Sequence, residues 1–162
     1  MLSKKNAKEA QAQYDRMILL YLHIKQLKNG IIFAPTDFSH PQEINRELAL
    51  SFFIRAHHMI DWVNSTGSRD LKKKLHRVID ESTALKICSD LCNKEKHCSL
   101  SKFRFKTGCQ PLFKIESDGV EHVDDDLLHL SKYRATYQIE VESDIYDAIF
   151  VAESCLFICS DI

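Results

Sequence analysis

The sequence predicts a mainly α-helical bundle with a β-hairpin or small sheet inserted before the last helix. Three observations carry this. Apolar residues recur at spacings of three and four through the first 98 positions, the mark of amphipathic helices. After His97 they alternate with charged residues instead: Phe103 and Phe105, Phe113 and Ile115, then Tyr137, Ile139 and Val141. That is the period of half-buried strands. Residues 143–162 then return to helical spacing. A chain of 162 residues matches one domain of roughly 100–200 residues. It divides into a helical segment over residues 1–98, a β-containing insertion over 99–142 and a final helix over 143–162. Only 4 glycines and 3 prolines exclude collagen-like and low-complexity chains and count against a turn-rich sandwich.

The elements follow in order. Ala10, Tyr14, Met17, Ile18, Tyr21, Ile24 and Leu27 share one face of a helix over 4–28, closed by Asn29-Gly30. Ile31 to Pro35 reads as a short apolar connector. Ser39-His40-Pro41 opens a second helix, with Pro tolerated in the first turn. It runs to about Asn64 through Ile44, Leu48, Phe52, Arg55, Met59 and Trp62. Ser68 caps a third helix holding Leu71, Leu75, Val78 and Ile79. Ser82 caps a fourth holding Leu85, Cys88, Leu91 and Cys92. Asp118-Gly119 reads as the turn of a hairpin. The Asp124–Asp126 run reads as a loop or a helix start. Ser143 or Asp144 caps the last helix, whose apolar face is Ile145, Ala148, Ile149, Ala152, Cys155, Leu156 and Cys159.

The net charge of −1 hides a split. Residues 1–115 carry 20 basic and 11 acidic side chains, and residues 116–162 carry 2 and 12. Two readings stand side by side: a basic face for polyanions, or two halves of one domain that attract each other. No apolar run approaches the ~18 residues that cross a bilayer, and no secretory leader pattern opens the chain. The expectation is a cytoplasmic protein with no membrane contact. The six cysteines include two i,i+4 pairs, Cys88/Cys92 and Cys155/Cys159. On helices these are small buried hydrophobes, so neither disulfide nor structural zinc is expected. No cofactor is expected, and the lack of a glycine-rich phosphate loop argues against ordinary nucleotide-triphosphatase chemistry.

The densest polar stretch is Asp90-Leu91-Cys92-Asn93-Lys94-Glu95-Lys96-His97-Cys98. It resembles the signature of HEPN-type helical bundles, many of which are ribonucleases of toxin and phage-defence systems. That signature is an Arg, usually followed by a polar residue such as Asn, with a His after four to six intervening residues. Asn93 fits the polar position and His97 the His, while Cys92 occupies the Arg position. Cys offers no charged, bidentate contact to phosphate, and Lys96 supplies only a point charge. More widely, Phe52-Phe53-Ile54-Arg55-Ala56-His57-His58-Met59-Ile60-Asp61-Trp62 together with the stretch from Leu85 to His97 resembles a bacterial family. Its members carry His-His-x-x-Asp-Trp before Cys-x-Asp-x-x-Asn-x-x-Lys-His. That likeness implies a shared fold and brings no activity with it.

The HEPN resemblance implies an RNA-directed toxin or phage-defence protein that cuts RNA without metal. His97 is then acid or base, Asn93 and Lys96 orient and neutralise phosphate, and Arg69 or Arg55 replaces the missing Arg. It also implies a homodimer whose interface lies near Asn93 and His97, and either RNA or a protein such as an antitoxin as partner. The alternative is a non-catalytic helical module that binds a protein or RNA, with Asp90, Asn93 and His97 as a buried polar packing cluster. A looser Arg-to-His match runs from Arg69 to His76, ringed by Lys72, Lys73, Lys74 and Arg77; the plainer reading of the same residues is a solvated basic helix face. Arg69, Lys73, His76, Lys102 and Arg104 are therefore the candidate RNA-binding residues. His57, His58 and Asp61, the set Cys88, Cys92, His97 and Cys98, and the acidic run at Asp124–Asp126 each contain metal-ligand types. Trp62 and Phe53 favour packing for the first, the second lacks a Cys-x-x-Cys pair and the third lacks the spaced carboxylates of a calcium loop, so no metal is expected.

Overall fold

The computed structural model describes residues 4–29, 31–35, 41–97, 111–125 and 128–161. Along them run helix α1 (Lys4–Lys25), strand β1 (Ile31–Pro35), α2 (Pro41–Thr66), α3 (Arg69–Glu81), α4 (Thr83–His97), β2 (Leu112–Asp125), β3 (Leu128–Val141), β4 (Asp144–Asp147) and α5 (Ala148–Ser160). The chain is mainly helical, and a small antiparallel sheet precedes the last helix.

The helices form where the apolar period places them. Met17, Tyr21 and Ile24 of α1 share one buried cluster with Phe52, Phe53, Ala56 and Ile60 of α2. Tyr21 and Phe52 lie 6.4 Å apart between ring centres, and Phe52 meets Phe53 edge to face at 5.5 Å. Aromatic rings favour such tilted contacts because the ring edge is positive and its face negative. The Ser68 hydroxyl accepts from the Leu71 amide at 3.4 Å and caps α3. The Ser82 hydroxyl accepts from the Leu85 amide at 3.2 Å and opens α4 in the same way. The α2–α3 corner turns on Gly67, whose amide donates to the Val63 carbonyl at 2.8 Å. Leu75 and Ile79 of α3 and the apolar face of α5 complete one continuous core, which Phe113, Ala135, Tyr137, Ile139 and Val141 of the sheet also join.

The sheet departs from the sequence reading at four places. Ile31 to Pro35 is a strand rather than a connector, and it pairs with β3 from Ile31↔Arg134 to Pro35↔Leu130. The β2–β3 hairpin does not turn at Asp118-Gly119. The pairing continues through that point, with a register shift that leaves Gly119 extra between Asp118↔Arg134 and Val120↔Tyr133. A single inserted residue of this kind is a β-bulge, and glycine tolerates its backbone. Asp124 and Asp125 pair with His129 and Leu128 inside the sheet, so this run is neither loop nor helix start, while Asp126 lies outside the described residues. Finally, Asp144–Asp147 pairs with Val141–Gln138 as β4. The last helix therefore starts later than Ser143 or Asp144. Its cap is Asp147, whose carboxylate accepts from the Phe150 amide at 2.9 Å. Ile145 sits on β4, 64% exposed, not on the helix face.

β3 is thus the central strand. It carries β2 along one edge, and on the other edge β1 beside its first half and β4 beside its second. The insertion 99–142 is not self-contained, because the sheet takes β1 from between the first two helices and β4 from beyond residue 142.

Candidate functional site

Two groups of residues are candidates, one on α4 and one on α3. On α4 the six residues from Ile87 to Cys92 are all buried, Ser89 and Asp90 included. A helix enclosed on every side is a central helix. α4 packs on α2, α3 and α5, which explains why no solvent face survives there. The Cys88 thiol donates to the Phe53 carbonyl of α2 at 3.2 Å. The Cys155 thiol of α5 donates to the Ala84 carbonyl of α4 at 3.4 Å. Cys88 and Cys155 are neighbours, and hydrogen bonding to Cys155, followed by burial, holds the Cys88 thiol well above its ordinary pKa of 9.0. Burial, with Cys88 nearby, pushes Cys159 up to about 12. Thiols that resist ionisation are poor nucleophiles and poor metal ligands. The sequence put each pair on an apolar helix face, and the structure adds that the two faces meet.

Asn93 is half-buried where α4 leaves the core. The α4 backbone continues to His97, but the side chains of Lys96 and His97 lie outside the described residues, as do Lys102 and Arg104. On α2, His57 is buried and its Nε2 lies 3.4 Å from the Asp61 carboxylate, one turn on. Asp61 is thus the carboxylate facing this histidine, on the Nε2 side only. Arg55 on the same helix is exposed. Among the described residues no three His, Cys, Asp or Glu side chains come together as a metal site.

α3 is different. Leu75 and Ile79 are buried, so the opposite side faces solvent. Arg69, Lys73 and His76 are exposed and, at i, i+4 and i+7, share one face. Arg77 is exposed beside them, and Asp80 closes that face at its C-terminal end. The neighbouring lysines are partly engaged: Lys74 donates to the Asp161 carbonyl at 2.9 Å and Lys72 to the Ser65 carbonyl at 3.5 Å. Among the described residues no carboxylate forms an ion pair with Arg69, Lys73 or Arg77. The structure therefore brings together three of the five candidate RNA-binding residues, with Arg77 added. A basic outward face of this kind can hold a string of phosphates and has no group poised for covalent chemistry.

No helix among the described residues is long and apolar enough to cross a membrane. Comparison of the chain with protein-family models, with curated proteins and with solved structures gives no match.

Proposed function

We propose that the chain is an RNA-directed helical module that holds the RNA backbone on the outward face of α3. The observation that carries this reading is the set Arg69, Lys73, His76 and Arg77, exposed together on one helix whose other side is locked into the core. Phosphate contacts from such a face supply affinity without sequence readout. The burial of Asp90 and Cys92 supports the non-catalytic form of the reading. In the HEPN-like form the chain is a toxin or phage-defence ribonuclease, and His97 with Asn93 and Lys96 would act beyond the end of the buried part of α4, between paired subunits.

The test is fluorescence anisotropy with a labelled single-stranded RNA, at low and at physiological salt. Wild type binds at low salt and weakens steeply as salt rises. Arg69→Glu/Lys73→Glu loses about tenfold or more in affinity, and its salt slope becomes shallower by about one for each phosphate no longer neutralised. Absence of binding by wild type at low salt overturns the proposal. Incubation with RNA in a chelator separates its two forms. Cleavage by wild type and not by His97→Ala establishes the ribonuclease, and binding without cleavage establishes the module. Sedimentation of wild type reports whether the chain pairs at all.

A further inference from the structure

Among the described residues of the C-terminal third, the most exposed large apolar side chains lie on one helix and the strand before it. Phe150 and Phe157 on α5 are 66% and 69% exposed, and Ile145 on β4 is 64% exposed. Phe150 and Phe157 are seven positions apart and share a face of α5, with Ser154 between them. Beside Phe150 an open cleft of about 230 Å³ is lined by Thr83, Ala84 and Ile87 of α4, Tyr146 of β4, and Ser154. Aromatic side chains left in water beside a ready-made cleft mark an interaction surface more often than a bare surface.

The segment that carries this stripe is charged in one sign, although Lys74 of α3 reaches the Asp161 carbonyl at its end. Residues 135–162 contain six carboxylates and no Lys or Arg. Glu142, Asp144, Asp147, Glu153 and Asp161 are all exposed. The Tyr146 hydroxyl donates to Asp144 at 3.3 Å. Burial first, then Asp144 and Glu142, keeps that phenol above its ordinary pKa. An apolar stripe with an acidic rim fits a partner that is apolar along one line and basic beside it.

The same rim decides between occupants. Two copies meeting symmetrically through this patch would set carboxylates against carboxylates, because an isologous contact pairs a surface with itself. Anionic lipid is repelled for the same reason. The outward α3 face of a second copy, Arg69, Lys73, His76 and Arg77, is basic and has no apolar side chain among those four. We infer that the Phe150–Phe157 face of α5, with the cleft beside Tyr146, is a docking surface for a basic amphipathic helix of another protein. This inference stands apart from the α3 reading and uses none of its residues.

The test uses two fluorescein-labelled helical peptides of about 16 residues. One has leucines at i, i+3, i+4 and i+7 with lysines elsewhere, and its twin replaces every Lys by Glu. The full chain binds the Leu/Lys peptide saturably and the Leu/Glu peptide at least about tenfold more weakly. Phe150→Glu and Phe157→Glu, both on exposed positions, each weaken binding by about tenfold or more at an unchanged melting temperature. Asp144→Asn/Glu153→Gln weakens it by less and flattens its salt dependence. Arg69→Glu/Lys73→Glu leaves it unchanged. Equal binding of the two peptides, no binding of either, or Phe variants that bind like wild type overturns the inference. A dimer in sedimentation that Phe157→Glu dissociates also overturns it, by assigning the face to a second copy.

Discussion

The thiol of Cys88 donates to the carbonyl of Phe53 at 3.2 Å and so joins the central helix α4 to α2 in the middle of the core. Both residues are fully buried, and the acceptor is a backbone carbonyl inside a helix. Replacing Cys88 by Ala removes one sulfur atom and one weak donor from a close-packed site. The expected loss is about 1–2 kcal/mol, read as a lower urea midpoint at unchanged slope.

The raised thiols give an alkaline limit. Cys159 titrates at about 12 in the folded chain against 9.0 ordinarily, and Cys88 is shifted the same way. Tyr21 moves from 10.0 to about 12, mainly through burial, with Glu153 adding to it. A group whose folded pKa lies above its unfolded value stabilises fully below the unfolded pKa, and that stability is lost as pH rises through the folded one. Melting temperature should therefore not vary on account of these groups below about pH 9 and should fall between about 9 and 12. Cys159→Ala should make the decline shallower. In a Cys98→Ser/Cys109→Ser background, the remaining thiols should resist a thiol reagent at neutral pH until the chain is unfolded.

Gly67 has a specific steric reason to be glycine. A Cβ there would lie 2.6 Å from the Val63 carbonyl oxygen and 3.2 Å from Leu71 Cδ2. The first contact is with backbone and cannot move aside cheaply. Gly67→Ala is expected to cost about 1–3 kcal/mol, measured by chemical denaturation, despite alanine's better helix propensity.

The cap of α5 can be tested by comparing two aspartates. Asp147→Ala should cost about 1 kcal/mol, because its carboxylate satisfies the Phe150 amide. Asp144→Ala removes only an exposed bond to the Tyr146 hydroxyl and should cost less than about 0.5 kcal/mol. Equal losses would contradict the cap assignment.

That pair also marks how far local reading reaches. Asp144 and Asp147 are both good cap residues, and spacing cannot say which one starts the helix. The choice is made by β3, whose Val141–Gln138 segment draws Asp144–Asp147 into a strand. The four helices before the sheet were legible because their apolar periods, and the Ser68 and Ser82 caps, are local. Ile31 to Pro35 was not, since its five residues show no alternation and its partner lies far along the chain. Asp118-Gly119 reads as a turn by composition, yet the same glycine serves as a bulge when strand pairing continues on both sides. At the candidate site, the apolar face of α4 was visible in Leu85, Cys88 and Leu91. A buried Asp90 was one of the two readings of the sequence, but that Ser89 is equally buried follows from α2, α3 and α5 enclosing the helix, which no period within α4 contains. The basic face of α3 was readable, since one helix's exposed side is fixed once its buried side is known.

The divided edge of β3 has a consequence for synthesis on the ribosome. β1 is made early, but its hydrogen-bonding partner, Leu130 to Arg134, follows about 100 residues later. Closing so long a loop adds little to the equilibrium cost, because loop entropy grows only logarithmically with length. The cost is in time. At about 5–20 residues per second, the N–H and C=O groups of β1 wait on the order of ten seconds for their partner. During that interval the nascent helices carry an unmatched strand edge, the kind of surface that other chains can add to.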